Sequence, residues 1–243
     1  MRRTVVVLAL IAATASVCHA GFWGDLLDTV RKPAASGETA DDTTVVRGLK
    51  EALSIGTDRA VKSLSRPDGF NGNGAVRILL PEKIRGAAEF LGRIGFQRQV
   101  DAFVVSMNRA AEQAAPMAAT FFVDALKEMT FEDAKGILYG GDTAATAYFE
   151  KKTRSRIFDA FRPVVAARMD EVGVARAYKE MAGKAAVVPF VNADDLDLDR
   201  YITNKALDGL FTMVGQEEKR IRTDPAARVT ELLQTVFGPG AAR

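Results

Sequence analysis

The chain has 243 residues, 33 Lys plus Arg against 31 Asp plus Glu, about half apolar composition, and one Cys and one His. Arg2, Arg3, Cys18 and His19 all fall in the first 20 residues, so the remaining chain carries 31 charges of each sign and a formal charge of zero. A neutral chain lacks the basic footprint that nucleic-acid binding needs, and one without Cys or His has no disulfide, thiolate nucleophile, imidazole base or Cys/His zinc site.

Residues 1–20 read as a secretory signal peptide: Arg2 and Arg3, an apolar run from Val5 to Ala13, then small residues near Ala20. The expected location is therefore the periplasm. Val17 does not supply the small residue that a lipid-acceptor Cys18 needs before it, so no lipid attachment is expected. Nothing later approaches ~20 consecutive apolar residues, and no membrane span is expected. Residues 21–42 form a short amphipathic helix, FWGDLLDTV, and a small polar linker, PAASGETADD. Such a helix can dock on the body, stay unstructured, or make peripheral membrane contact through Phe22, Trp23, Leu26 and Leu27. Its polar face carries no basic cluster, which favours the first two.

Residues 43–243 are long enough to bury one substantial core and read as a single helical domain. Val45, Val46, Leu49, Leu53, Ala60, Val61 and Leu64 recur near the helical period, so the spacing predicts a helix over 43–65. RPDGFNGNG (66–74) breaks that pattern. It lacks the Lys and Ser/Thr of a phosphate-binding Walker loop and the strand before it, and reads as a surface loop. A short extended run, 75–80, leads to Pro81, well placed at the start of a helix that Gly95 ends. From Gln97 the stripe Val100, Phe103, Val104, Met107, Ala111 and Ala114, continued past Pro116 by Phe121, Phe122, Ala125, Leu126 and Met129, predicts a helix pair at the centre of the fold.

Thr130 followed by Asp133 is a capping box for the next helix. Gly140 and Gly141 then permit an exit, with Asp142 or Thr143 available to cap a helix running to about Phe161. Pro163 is expected to start another, and Gly173 to break it before Tyr178. VVPFV (187–191) fits a packed loop or an edge strand. A long helix follows from Leu198 to Arg222, and Thr223 or Asp224 can cap the last one, which Gly238 closes. The class is all-α, an irregular domain of eight to ten helices.

The acidic run Asp194, Asp195, Asp197 and Asp199 fails as a calcium loop, because Arg200 and Ala206 stand where a Gly and a Glu are needed. It reads instead as negative charge at a helix start. The candidate polar set is Asn108, Arg109 and Glu112, at the margin of an apolar stripe, with Asp133, Tyr148, Lys205, Asp208 and Glu218 as partners from elsewhere. Convergence of these groups would make a buried network or a ligand pocket, in which Glu112 and Asp133 are the only acid–base pair on offer. A network that locks helix positions is the favoured reading. Glu218 with Arg222 reads as a simple i to i+4 ion pair. No Ser lies in G-x-S-x-G or S-x-x-K.

LKEALSIGTDRAV (49–61), MNRAAE (107–112), MTFEDAKGIL (129–138), GDTAATAYF (141–149), KALDGLF (205–211) and EEKRIR (217–222) together resemble the bacterial family catalogued as domain of unknown function 4197. The resemblance implies an exported helical protein and supplies no established activity or catalytic residue. The leading functional reading is a non-catalytic periplasmic module, without cofactor or metal, that holds a protein partner or an apolar small molecule. The alternatives are a carboxylate-dependent hydrolase or lyase using Glu112 and Asp133, and a structural envelope protein.

Overall fold

The computed structural model describes residues 40–171 and 197–224. The expected signal peptide, the 22–30 helix, VVPFV and the last helix lie outside them. The described residues are all-helical. The elements are α1 (Ala40–Ser65), α2 (Glu82–Leu91), α3 (Gln97–Ala114), α4 (Ala118–Glu128), α5 (Phe131–Leu138), α6 (Ala144–Asp170) and α7 (Leu198–Thr223).

By helical continuity these make five helices among the described residues, not eight to ten; other expected helices lie outside those residues, and Pro163 starts no new one. Gly95 does end the helix that follows Pro81: it stands at φ 100° and Ile94 at ψ 16°, outside helical dihedrals, so the chain kinks there and α3 follows without a loop. A single 3₁₀ turn, Ala115–Met117, then carries α3 into α4. Pro163 lies inside α6 and starts no new helix. Its position is solvent-exposed, as is that of Asp159, so the carbonyl deprived of a helical partner can turn to water.

The most extensive packing is between α6 and α7, with α3 against α6 and α1 against α7. The centre of the fold is therefore this later pair, not the 97–129 stretch that its apolar stripe suggested. Both helices carry buried residues along their whole length, from Ala145 to Met169 and from Leu198 to Ile221. Phe122 of α4 joins them: its ring meets Phe149 of α6 at 5.1 Å and Phe211 of α7 at 6.2 Å, both edge-on, the arrangement that aromatic quadrupoles favour.

The loop at 66–74 is mostly exposed, as expected, but Phe70 within it is 0% exposed, and in the extended run that follows Val76 and Ile78 are 6% and 1% exposed, so residues 66–80 form a strap packed on the body. Phe70 seats against α7 at Gly209, where an added Cβ would stand 2.7 Å from the ring's Cε1 and 3.1 Å from Val76 Cβ. Tyr201 Oη donates to the Leu79 carbonyl at 2.9 Å and fixes the strap's far end.

Gly209→Ala should accordingly destabilise the protein by about 1–3 kcal/mol through overpacking. In a Phe70→Leu background the same change should cost distinctly less, because the two sites share one space. Urea unfolding of the four-member cycle measures both, and simple additivity would show that the ring does not dictate the glycine.

Candidate functional site

Asn108 is fully buried on α3 and uses its whole amide. Its Oδ1 accepts from the Ile78 amide at 2.8 Å, and its Nδ2 donates to the Ile78 carbonyl at 2.9 Å and the Val104 carbonyl at 2.8 Å. One side chain thus pairs with the extended backbone as a neighbouring strand would, which a buried non-helical segment requires. One turn further, Glu112 Oε1 accepts from the amides of Phe70 at 3.1 Å and Asn71 at 3.2 Å. Its Oε2 meets Arg109 Nη1 at 2.6 Å, and Arg109 Nη2 reaches Asp68 Oδ1 at 2.9 Å. Asp68 sits at φ 62°, where a non-glycine residue is uncommon. Its carboxyl is held below the usual range chiefly by the Asn71 side-chain hydrogen bond, with Arg109 adding to the effect. The hydrogen bond that Arg109 donates to Glu112 is in turn the main cause that raises the Arg109 guanidinium. Asn108, Arg109 and Glu112 therefore act together from α3, and what they hold is the strap.

The second buried carboxylate is Glu218, 4% exposed. Its oxygens accept from the amides of Ala145 at 3.0 Å and Thr146 at 2.8 Å and from Thr146 Oγ1 at 2.7 Å. The first turn of α6 is thus capped from α7. Asp142 and Thr143, the expected local caps, do not do it: Thr143 occupies the cap position without a side-chain bond. Arg222 donates to Glu218 Oε1 through Nη2 at 2.9 Å and to the Ile137 carbonyl, near the end of α5, at 2.8 Å. This pair joins the end of one helix to the start of the next, and is much more than an i to i+4 surface pair.

Asp133 closes the expected capping box: Thr130 Oγ1 accepts from its amide at 3.1 Å, and its Oδ2 accepts from the Thr130 amide at 3.0 Å. Those bonds hold its carboxyl below the usual range. Lys50 donates to the Met129 carbonyl beside this box at 3.0 Å. Burial lowers the Lys50 ammonium while Asp133 opposes that shift. Tyr148 donates from Oη to the Ala125 carbonyl at 2.8 Å. Burial first, then the Asp133 and Glu128 carboxylates, push its phenol up to about 12. Lys205 and Asp208 form a separate exposed cluster, 3.5 Å apart, with Arg154 on Asp208 at 2.6 Å. They border a shallow groove of 380 Å³ between α6 and α7, lined among others by Glu150, Arg154, Phe158 and Asn204.

The candidate residues thus form four groups. Glu112 and Asp133 share no hydrogen-bonding partner, one clamping the strap and the other capping α5. Both oxygens of Glu112 are engaged, Oε1 by two amides and Oε2 by a guanidinium. Asp197 caps α7 through the Arg200 amide at 2.9 Å and pairs with Arg162 at 3.1 Å, matching the capping reading of the acidic run. Among the described residues no cluster of three acidic, His or Cys side chains is arranged to hold a metal ion. Glu218 and the strap's Phe70 were the residues underestimated from sequence. Glu218 falls at the spacing of Phe211, Val214 and Ile221, so its place on the apolar stripe was the available signal.

Glu218→Ala should cost about 3 kcal/mol, because it uncaps α6 and leaves Arg222 without its carboxylate. Glu218→Gln, which keeps one acceptor, should recover part of the loss. A denaturation midpoint unchanged in the alanine variant would contradict this assignment. Tyr148 gives an alkaline signature. The folded phenol titrates at about 12, above the ordinary ~10. The unfolded chain therefore releases the proton first, and this stability is present below pH ~10 and lost as pH rises toward the folded value. Tyr148→Phe should flatten that part of the stability profile, at a cost of about 1 kcal/mol at neutral pH for the lost hydrogen bond. Phenolate absorbance and unfolding against pH read the two effects together.

Neither a curated protein nor a solved structure matches the chain. Residues 39–238 match the family described as Protein of unknown function (DUF4197), a span that takes in every described element. The chain belongs to the DUF4197 family.

Proposed function

We propose that the protein is an exported, non-catalytic interaction module of the periplasm that docks through one uncovered helical arm. The observation that carries this reading is the distribution of side chains. The buried polar residues Asn108, Glu112 and Glu218 are bound to backbone and to neighbouring guanidinium groups, while Phe90, Leu91, Ile94 and Phe96 stand 62%, 40%, 53% and 48% exposed. Large apolar side chains gathered on one exposed element favour a binding surface over a solvated face. The two grooves near the polar sets, 380 Å³ and 240 Å³, are open and carry charged rims, and they support partner contact less directly. Export rests on the charged and apolar pattern of residues 1–20.

The hydrolase or lyase reading has no comparable support, since its two carboxylates serve separate structural ends. A purely structural envelope role differs from the proposed one only in what the arm meets. Replacing Ile94 by a photo-crosslinking phenylalanine derivative in cells should yield adducts, to protein or to lipid, well above those from the same probe at exposed Lys151. Equal yields at the two positions would overturn the proposal.

A further inference from the structure

Between Glu82 and Ala102 no described side chain is fully buried: Ile84 packs against the edge of the core and Val100 is half-buried, while Phe90, Leu91, Ile94 and Phe96 between them are exposed. α2 makes its principal contacts with the turn Gly92–Phe96 and with α3, so α2 and the start of α3, as far as Ala102, form an arm bent at Gly95, while α3 from Phe103 on packs into the body. The turn and its immediate flanks, FLGRIGFQRQV (90–100), contain four well-exposed apolar side chains, two arginines and no acid. Arg93 and Arg98 are exposed and make no ion pair among the described residues. The nearest acids are Glu89 and Asp101, and Asp101 accepts from Gln97 at 2.8 Å.

This combination has a specific chemistry. A protein partner of ordinary type would meet such a surface with a matching apolar recess and paired carboxylates. An anionic lipid surface meets it without either: phenyl and aliphatic groups enter the boundary between headgroups and acyl chains, and guanidinium groups stay at phosphate level on their long stems. The tip is a turn between helices, not a groove, and offers side chains outward without a concave receptor site. Resting on the interaction reading above, we infer that the arm's tip is a membrane-contact element that seats Phe90, Leu91, Ile94 and Phe96 in the interface of an anionic phospholipid bilayer, with Arg93 and Arg98 on the phosphates.

The test is vesicle flotation of the purified protein with equal parts phosphatidylglycerol and phosphatidylcholine, and with phosphatidylcholine alone. Binding is expected to the first and not the second, and to weaken with salt. Arg93→Gln and Arg98→Gln should each lower partitioning about fivefold, and Ile94→Asn with Phe96→Ser should abolish it. Neither apolar position belongs to the core, so these variants should unfold at the wild-type midpoint, which is measured alongside. Tyr139→Ser, at an exposed residue on another element, should bind as wild type. No binding to anionic vesicles overturns the inference, and so does binding that survives the double substitution, which would place the contact elsewhere in the chain. Cellular adducts at position 94 that are all to one protein would also overturn it while leaving the interaction module standing; absence of any adducts there would remove both.

Discussion

An all-helical body with short, buried connections has to satisfy backbone groups that water cannot reach, and this constraint shapes the protein more than any other. Glu218 and Arg222 meet it at the α5–α6 corner, where the carboxylate takes amides from the first turn of α6 and the guanidinium takes the Ile137 carbonyl. Asn108 and Glu112 meet it along the strap, whose residues 76–80 have no strand partner. Side chains from distant helices stand in for local caps in both places. The cost of removing such a group exceeds that of an exposed ion pair, because the orphaned backbone stays buried.

That solution limits what the polar residues can do. A carboxylate that receives two amides and a guanidinium has both its oxygens engaged, and a buried amide with its oxygen and nitrogen both engaged has little left for a ligand. The polar constellation legible in the sequence is therefore spent on architecture. What remains uncommitted is apolar: the tip between α2 and α3, where Phe90, Leu91, Ile94 and Phe96 find no described neighbour to cover them. A helical hairpin without a core of its own is marginal in water, so a surface that covers those residues stabilises the arm as well as binding it.

The helices themselves were legible because the 3.6-residue apolar period runs through α1, α3, α4 and α7, and the Thr130–Asp133 box was legible because both partners are local. The strap was not. RPDGFNGNG has the composition of a solvated turn, and its burial follows from one ring, Phe70, meeting one missing side chain, Gly209, far along the chain. Pro163 misled the count, because a proline on a helix's wet face costs one bond without ending the helix, whereas Gly95 ends its helix through a left-handed backbone and the next helix begins without a loop. Glu218 lay in plain view on an apolar stripe. Its ion-pair spacing to Arg222 suggested an exposed pair, whereas its spacing to Phe211, Val214 and Ile221 placed it in the core.

The strap and the arm are mechanically one device. Immediately before α2, Ile78 is pinned by Asn108 and Leu79 by Tyr201. On the returning side, Phe103 enters the core, 5% exposed, just after the last exposed residues of the arm. Both feet of the arm are therefore fixed to the body while nothing between them is buried. A segment anchored at both ends and bare in the middle keeps its direction relative to the body, so whatever covers the tip also orients the core behind it. The polar network would thus bear on the proposed function at one remove, by holding still the roots of the proposed contact surface.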